Sequence, residues 1–247
     1  MNLMKLEALV LVTALGLSGC GASDNDWANQ DPSAKVASTE SFDIAQTWTN
    51  FNQDPQTASM TMSGSCTGTL ILTSTSALTV SGAYRYNQNI VNRRYNTCVA
   101  PFVTTVTTYS TVAYFDYSTA VPLLKNVRYT YGATTNVWRT PANFPSAAKV
   151  GDTGLIGVID NYTTASPVTK SGVEEWSYAI EMDTASSVVL NLIVKAYSTS
   201  TSTTATDYLS APLLQTEQYR YLVRPNNSMR MVSYDIEKST GFKLHAQ

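Results

Sequence analysis

Beyond residue 55 the apolar positions of this chain recur every second residue, the period of a strand with one buried face. Trp176, Tyr178, Ile180 and Met182 share a face of one run, which turns at Asp183-Thr184-Ala185-Ser186. Val188, Leu190, Leu192 and Val194 share a face of the next, with Asn191 and Lys195 opposite. Tyr219, Tyr221 and Val223 alternate with Gln218 and Arg220, and Val232, Tyr234 and Ile236 alternate with Met231, Ser233 and Asp235. Between these two runs, Pro225-Asn226-Asn227-Ser228 has the composition of a hairpin turn, because Asn tolerates the left-handed backbone that such turns need. Earlier in the chain the same period links Met60 with Met62, then Leu78 and Val80 with Tyr84 and Tyr86, and later Val127 with Tyr129 and Tyr131. Residues 69–73, 99–109, 112–115 and 155–161 are apolar or β-branched runs that also suit strands. Two stretches lack the period and read as loops. One is the polar segment Asn87 to Asn96, which contains Arg93 and Arg94; the other is the hydroxyl tract Ser198 to Thr206.

Before residue 55 the period changes. Phe42, Ala45, Trp48 and Phe51 recur every third residue, which predicts a helix over 41–52 with Ser41 as its cap; alternation of Phe42, Ile44 and Trp48 keeps a strand open. Nine to eleven successive one-sided strands joined by short turns predict a mostly β protein. Its architecture is an antiparallel meander forming a curved sheet, half-barrel or sandwich, with one short N-terminal helix. A closed barrel is the remaining way to bury such a face.

Composition changes the picture in one respect. Charged residues make up only 14% of the chain and the formal net charge is −2. No basic patch suited to phosphates is evident, so no nucleic-acid partner is expected. Ser, Thr, Asn and fifteen Tyr take the place of the missing charges, a mixture that suits strands with hydroxyl-bearing outer faces.

The start of the chain has a separate character. Lys5 is followed by an apolar run from Ala8 to Leu17, too short to span a bilayer, and then by Leu17-Ser18-Gly19-Cys20. A basic start, a short apolar segment and small residues make a secretory signal. With Cys placed directly after Leu-Ser-Gly, the motif resembles the lipobox of bacterial lipoproteins. The resemblance covers residues 1–20. It implies that residues 1–19 are a signal peptide, that Cys20 is the site of lipid attachment, and that the protein is anchored to a membrane by its N-terminal lipid. Gly21, rather than Asp, follows the Cys; in the sorting rule of that class this favours the outer membrane over inner-membrane retention. Residues 20–40 are polar and aperiodic and read as the lipidated Cys with a flexible tether, whose coil would span about 25 Å. Residues 41–247 then form a single β-rich domain.

Cys66 and Cys98 remain as an even pair in a chain bound for an oxidising compartment, so a disulfide between them is expected. Two thiolates with no nearby His do not fill a zinc shell, and no metal or other cofactor is expected.

Candidate chemistry is sparse. Asp152-Thr153-Gly154 resembles the active-site triplet of aspartic proteases, but it occurs once and Gly151 precedes it; as a Gly-rich turn it launches the strand after it. The only His, His245, lies three residues from the end of the sequence, a poor position for a general base. Glu174-Glu175, Glu181 and Asp183 fall on one strand, and alternation puts Glu175, Glu181 and Asp183 opposite Trp176. These are solvated outer-face charges, or the pair that a glycosidase would need. The reading that follows is a lipid-anchored envelope protein with no catalytic residues and a non-enzymatic binding or structural role. Its partners would be an apolar ligand, a glycan or an envelope protein. The alternatives are a carrier of an apolar ligand or lipid in a β half-barrel, and a carboxylate-dependent hydrolase of envelope glycans. The apolar face of Trp176, Leu190 and Tyr219 is expected to pack solid rather than to line a cavity.

Overall fold

A computed structural model describes residues 35–53, 56–75, 84–104, 106–116, 123–129, 135–163, 169–198 and 207–247. The expectations for Cys20, the signal segment, Leu78, Val80, Tyr131 and most of the hydroxyl tract lie outside the described residues. The protein is mostly β, an antiparallel meander with one short N-terminal helix. The helix, α1, is Ile44–Gln53. The strands are β1 (Gln56–Gly64), β2 (Cys66–Thr75), β3 (Tyr84–Cys98), β4 (Val106–Asp116), β5 (Leu123–Tyr129) and β6 (Thr135–Trp138). They continue as β7 (Thr153–Tyr162), β8 (Lys170–Thr184), β9 (Ser187–Tyr197), β10 (Leu213–Val223), β11 (Met229–Lys238) and β12 (Lys243–Ala246).

Each strand pairs with the next, and β1 also pairs with β12, so the order of neighbours runs round a ring. The pairing that completes this ring is short. Met62, Ser63 and Gly64 of β1 face Ala246, His245 and Leu244 of β12. Thr61 and Gln247 add a reciprocal pair of backbone hydrogen bonds at 2.8 and 3.1 Å. Gly64 makes the seam possible: its φ is +103°, and a Cβ there would lie 2.6 Å from the Lys243 carbonyl oxygen.

The inner face carries the core. Val188 and Leu190 are fully buried, and Leu192, Met62, Leu70, Tyr234 and Ile236 nearly so. Each such side chain contributes about 1.5–3 kcal/mol relative to exposure. One end of the ring is filled by α1. Asp43, not Ser41, caps it: the Gln46 N–H donates to Asp43 Oδ1 at 2.9 Å. Its apolar stripe, Ile44, Trp48 and Phe51, turns toward Tyr221 and the irregular segment that follows β6. Trp48 stacks on Phe144 at 4.9 Å and Phe51 meets Tyr221 edge-on at 5.2 Å. Phe42 forms an isolated bridge with Ala148, and Asn50 Nδ2 donates to the Asn227 carbonyl in the turn between β10 and β11. Asn227 has the left-handed φ of 56° that the turn composition predicts.

Three features differ from the sequence pattern. The segment Asn87 to Asn96 is not a loop but the body of β3, paired along its length with β2 and β4. In β11 a bulge opposite Arg220 and Tyr221 changes the phase, so Met229 and Met231 are buried with Tyr234 and Ile236 while Val232 is only half-buried. Met182 does not stay on the buried face of Ile180; a register shift near the end of β8 leaves it 47% exposed.

Candidate functional site

A cavity opens beside the short β1–β12 seam. Among the described residues, no strand is paired between Gln56–Met60 of β1 and Met229–Ser233 of β11. The sheet is therefore joined at the end where β2 begins and parted at the end where α1 sits. A cavity of about 580 Å³ occupies this slot, within the ordinary size range of small-molecule sites. Its inner wall is Ala58, Met60, Leu72, Met231 and Phe51. Its mouth carries Lys35, Glu181, Asp183, Arg220 and Arg230, with Met182, Val189 and Leu222 between them. The apolar floor follows from the alternation of β1, whose Ala58 and Met60 point in while Thr57 and Ser59 point out.

Most charges at the mouth are already engaged. Arg220 Nε lies 3.3 Å from Glu181 Oε2 and its Nη1 lies 3.0 Å from Asp235 Oδ2. Asn191 Nδ2 donates to Glu181 at 2.7 Å. Asp183 is buried and accepts a short hydrogen bond from the Ser187 hydroxyl. Its carbonyl also accepts the Val36 N–H at 3.2 Å, which fixes the segment that carries Lys35.

A polar group sits inside the ring toward the opposite end. Arg93 of β3 reaches across the interior and donates from Nη2 to the Tyr234 hydroxyl at 2.6 Å. Glu217 accepts short hydrogen bonds from the Tyr219 hydroxyl and from Gln215 Nε2. Burial raises the pKa of the Tyr219 and Tyr234 hydroxyls well above the ordinary tyrosine value, and the nearby Glu217 raises them further. Glu174 accepts from Trp176 Nε1 and from Asn161 Nδ2, both at 3.0 Å. Burial pushes its carboxyl pKa up, and the charge of Glu217 adds to that push; the two hydrogen bonds oppose it. Trp176, Tyr178 and Tyr219 face inward here yet are only half-buried, unlike Leu190 and Val188 beneath α1. The apolar face is therefore fully buried around Val188 and Leu190 and less so around Trp176, Tyr178 and Tyr219.

The residues singled out in the sequence fall as follows. Cys66 and Cys98 are bonded, facing each other at the start of β2 and the end of β3. Asp152 lies in a turn, where its Oδ2 accepts the Lys149 N–H at 2.8 Å, and β7 starts at Thr153. Glu175, Glu181 and Asp183 are on the face opposite Trp176 but have separate partners. Glu175 is not simply solvated: Tyr208, from a short 3-10 turn at Asp207–Ser210, covers it and donates its hydroxyl at 2.7 Å. That turn seals a small outer core of Val158, Val173, Tyr197 and Tyr208. Its Asp207 is joined to Arg139 Nη1 at 3.1 Å. His245 is not in a loose terminus; it is a β12 residue whose Nδ1 lies 3.0 Å from Asp235 Oδ1. Sequence reasoning missed Arg93, Glu174 and Glu217 as an interior group. The signal for Glu174 was present, since it shares the parity of Trp176.

Among the described residues no cluster of three His, Cys, Asp or Glu side chains is placed to hold a metal, and no helix is long and apolar enough to cross a membrane. Among the described residues, the fold and the cavity together define an antiparallel β meander whose first and last strands meet along a short seam beside a lateral opening. No family model, curated protein or solved structure matches the chain.

Proposed function

We propose that this is a non-enzymatic binding protein of the cell envelope that takes the apolar part of a ligand through the slot between β1 and β11. The observation that carries this reading is the cavity itself. It combines an apolar inner wall with a polar, charged mouth, the division of labour found in small-molecule sites. The lipobox resemblance supplies the location: Cys20 would carry the lipid, and the outer membrane is the favoured destination. Cys20→Ala should release an unacylated product from the membrane fraction; an unchanged lipid mass on that variant would refute the anchor.

The binding reading is tested on the purified full chain with a neutral fluorescent naphthylamine probe. Saturable binding is expected. Ala58→Trp, which fills the inner wall, should weaken it at least about tenfold without lowering the melting temperature. Probe binding that is absent, or indifferent to Ala58→Trp, would leave a structural role in the envelope as the better account.

A second reading rests on the interior carboxylates. A hydrolase of glycans would use Glu174 and Glu217 rather than Glu175 and Asp183, because Glu174 combines a raised pKa with a second carboxylate in the same enclosed space. Loss of glycan turnover in Glu174→Gln, with Glu175→Gln unaffected, is its test.

A further inference from the structure

We infer that the ligand of the slot is an anionic amphiphile: a single-chain lipid whose carboxylate or phosphate head is held at the mouth by Arg230 and Lys35. The inference rests on the binding reading above and adds the chemistry of the head. Arg230 stands on the outer row of β11, directly on the edge of the slot, and is exposed. Lys35 is exposed and also lines the cavity, one residue from the bridge between Val36 and Asp183 of β8 that holds its segment in place. Neither forms an ion pair among the described residues.

The acids beside them do not answer these charges. Glu181 is taken up by Arg220 and Asn191, and Asp183 by the Ser187 hydroxyl. Two cations therefore line the cavity that also holds Ala58, Met60 and Leu72, and a molecule with an anion at one end and a chain at the other satisfies both parts. An extended peptide pairing with β1 or β11 is the competing occupant. The bulge at Val232 disfavours it, because irregular edges do not template a regular ladder. Exposed charges act through solvent and are screened by salt, so the preference should be moderate and should fall as ionic strength rises.

The test displaces the naphthylamine probe from the full chain with four twelve-carbon compounds: dodecanoate, dodecyl phosphate, dodecanol and dodecyltrimethylammonium. Both anions should bind at least about fivefold more tightly than the alcohol at low salt, and the cation more weakly than the alcohol. The order of the two anions separates a carboxylate from a phosphate head. Arg230→Glu combined with Lys35→Glu should abolish the preference while leaving dodecanol binding unchanged; Arg230→Gln alone should halve it or more. Equal binding of all four compounds, still blocked by Ala58→Trp, would overturn the anionic head and leave the slot standing. Failure of every compound to displace the probe would overturn the slot reading as well.

Discussion

Leu190→Ala and Leu72→Ala form a matched pair, the same deletion made in two different surroundings. Leu190 is fully buried, in register with Ile180 on β8 and Tyr221 on β10. Around it, α1 brings Trp48 and Phe51 against the ring of Tyr221. Removing three carbons there leaves a cavity that neighbouring strands cannot collapse into, since each is held by ladder hydrogen bonds on both sides. The expected cost is about 3–5 kcal/mol, the upper part of the range for buried Leu→Ala changes. For a domain of this size that lowers the melting temperature by about 6–20 °C. Leu72 already borders the slot and is only half-buried. Its truncation enlarges an existing space and forfeits only part of the transfer term, about 1 kcal/mol. Urea unfolding of both variants beside the wild type, read by tryptophan fluorescence, measures the difference directly. Equal losses, or a Leu190→Ala cost below about 1 kcal/mol at unchanged m-value, would refute the solid core under α1.

Two further predictions concern cross-links. Replacing Cys66 and Cys98 by Ser should cost about 3.7 kcal/mol on the chain-entropy account of a loop of this length, measurable by denaturant unfolding and matched by reducing the wild type. His245 has its pKa raised, first by the hydrogen bond it donates to Asp235 and then by the charge of that carboxylate, against burial and against the nearby Arg220. A raised folded-state pKa means that its contribution is complete below about pH 6.5 and is lost as pH rises through the folded value. The melting temperature should therefore fall between pH 6 and pH 9 by more in the wild type than in His245→Gln, and equal slopes would remove His245 from the seam.

The meander was legible because β8 to β11 set apolar side chains on one face and more polar ones on the other, so Val188, Leu190 and Leu192 announce themselves against Asn191 and Lys195. The same logic failed in β3. Asn87, Gln88, Asn89, Asn92, Arg93 and Arg94 make both faces of that strand polar, and a period of two is invisible when nothing alternates. Arg93 points inward because the ring encloses Tyr234 and Glu217 as partners, a fact of tertiary structure that neighbours in sequence cannot reveal. The bulge at Val232 likewise inverted a face by one residue without any glycine to mark it. The slot was the least legible feature. It lies beside a seam of three paired residues, and pairing between the first and last strands carries no local signal in the chain.

That seam also sets an order of events. Every other pairing in the ring joins strands adjacent in the sequence, so those hairpins can form as the chain emerges. The β1–β12 contact joins segments about as far apart as the domain allows; Lys243 N donates to the Ser65 hydroxyl across 178 residues. Contacts of such separation form late, after the intervening chain is organised, and when carried by a four-residue strand they open first. The wall should thus breathe where it is already parted, with β12 peeling from β1 in native-state hydrogen exchange well before β8 and β9 separate. A guest too broad for the resting slot would need only that one short strand to yield, and the pace of its entry and exit would be the pace of the seam.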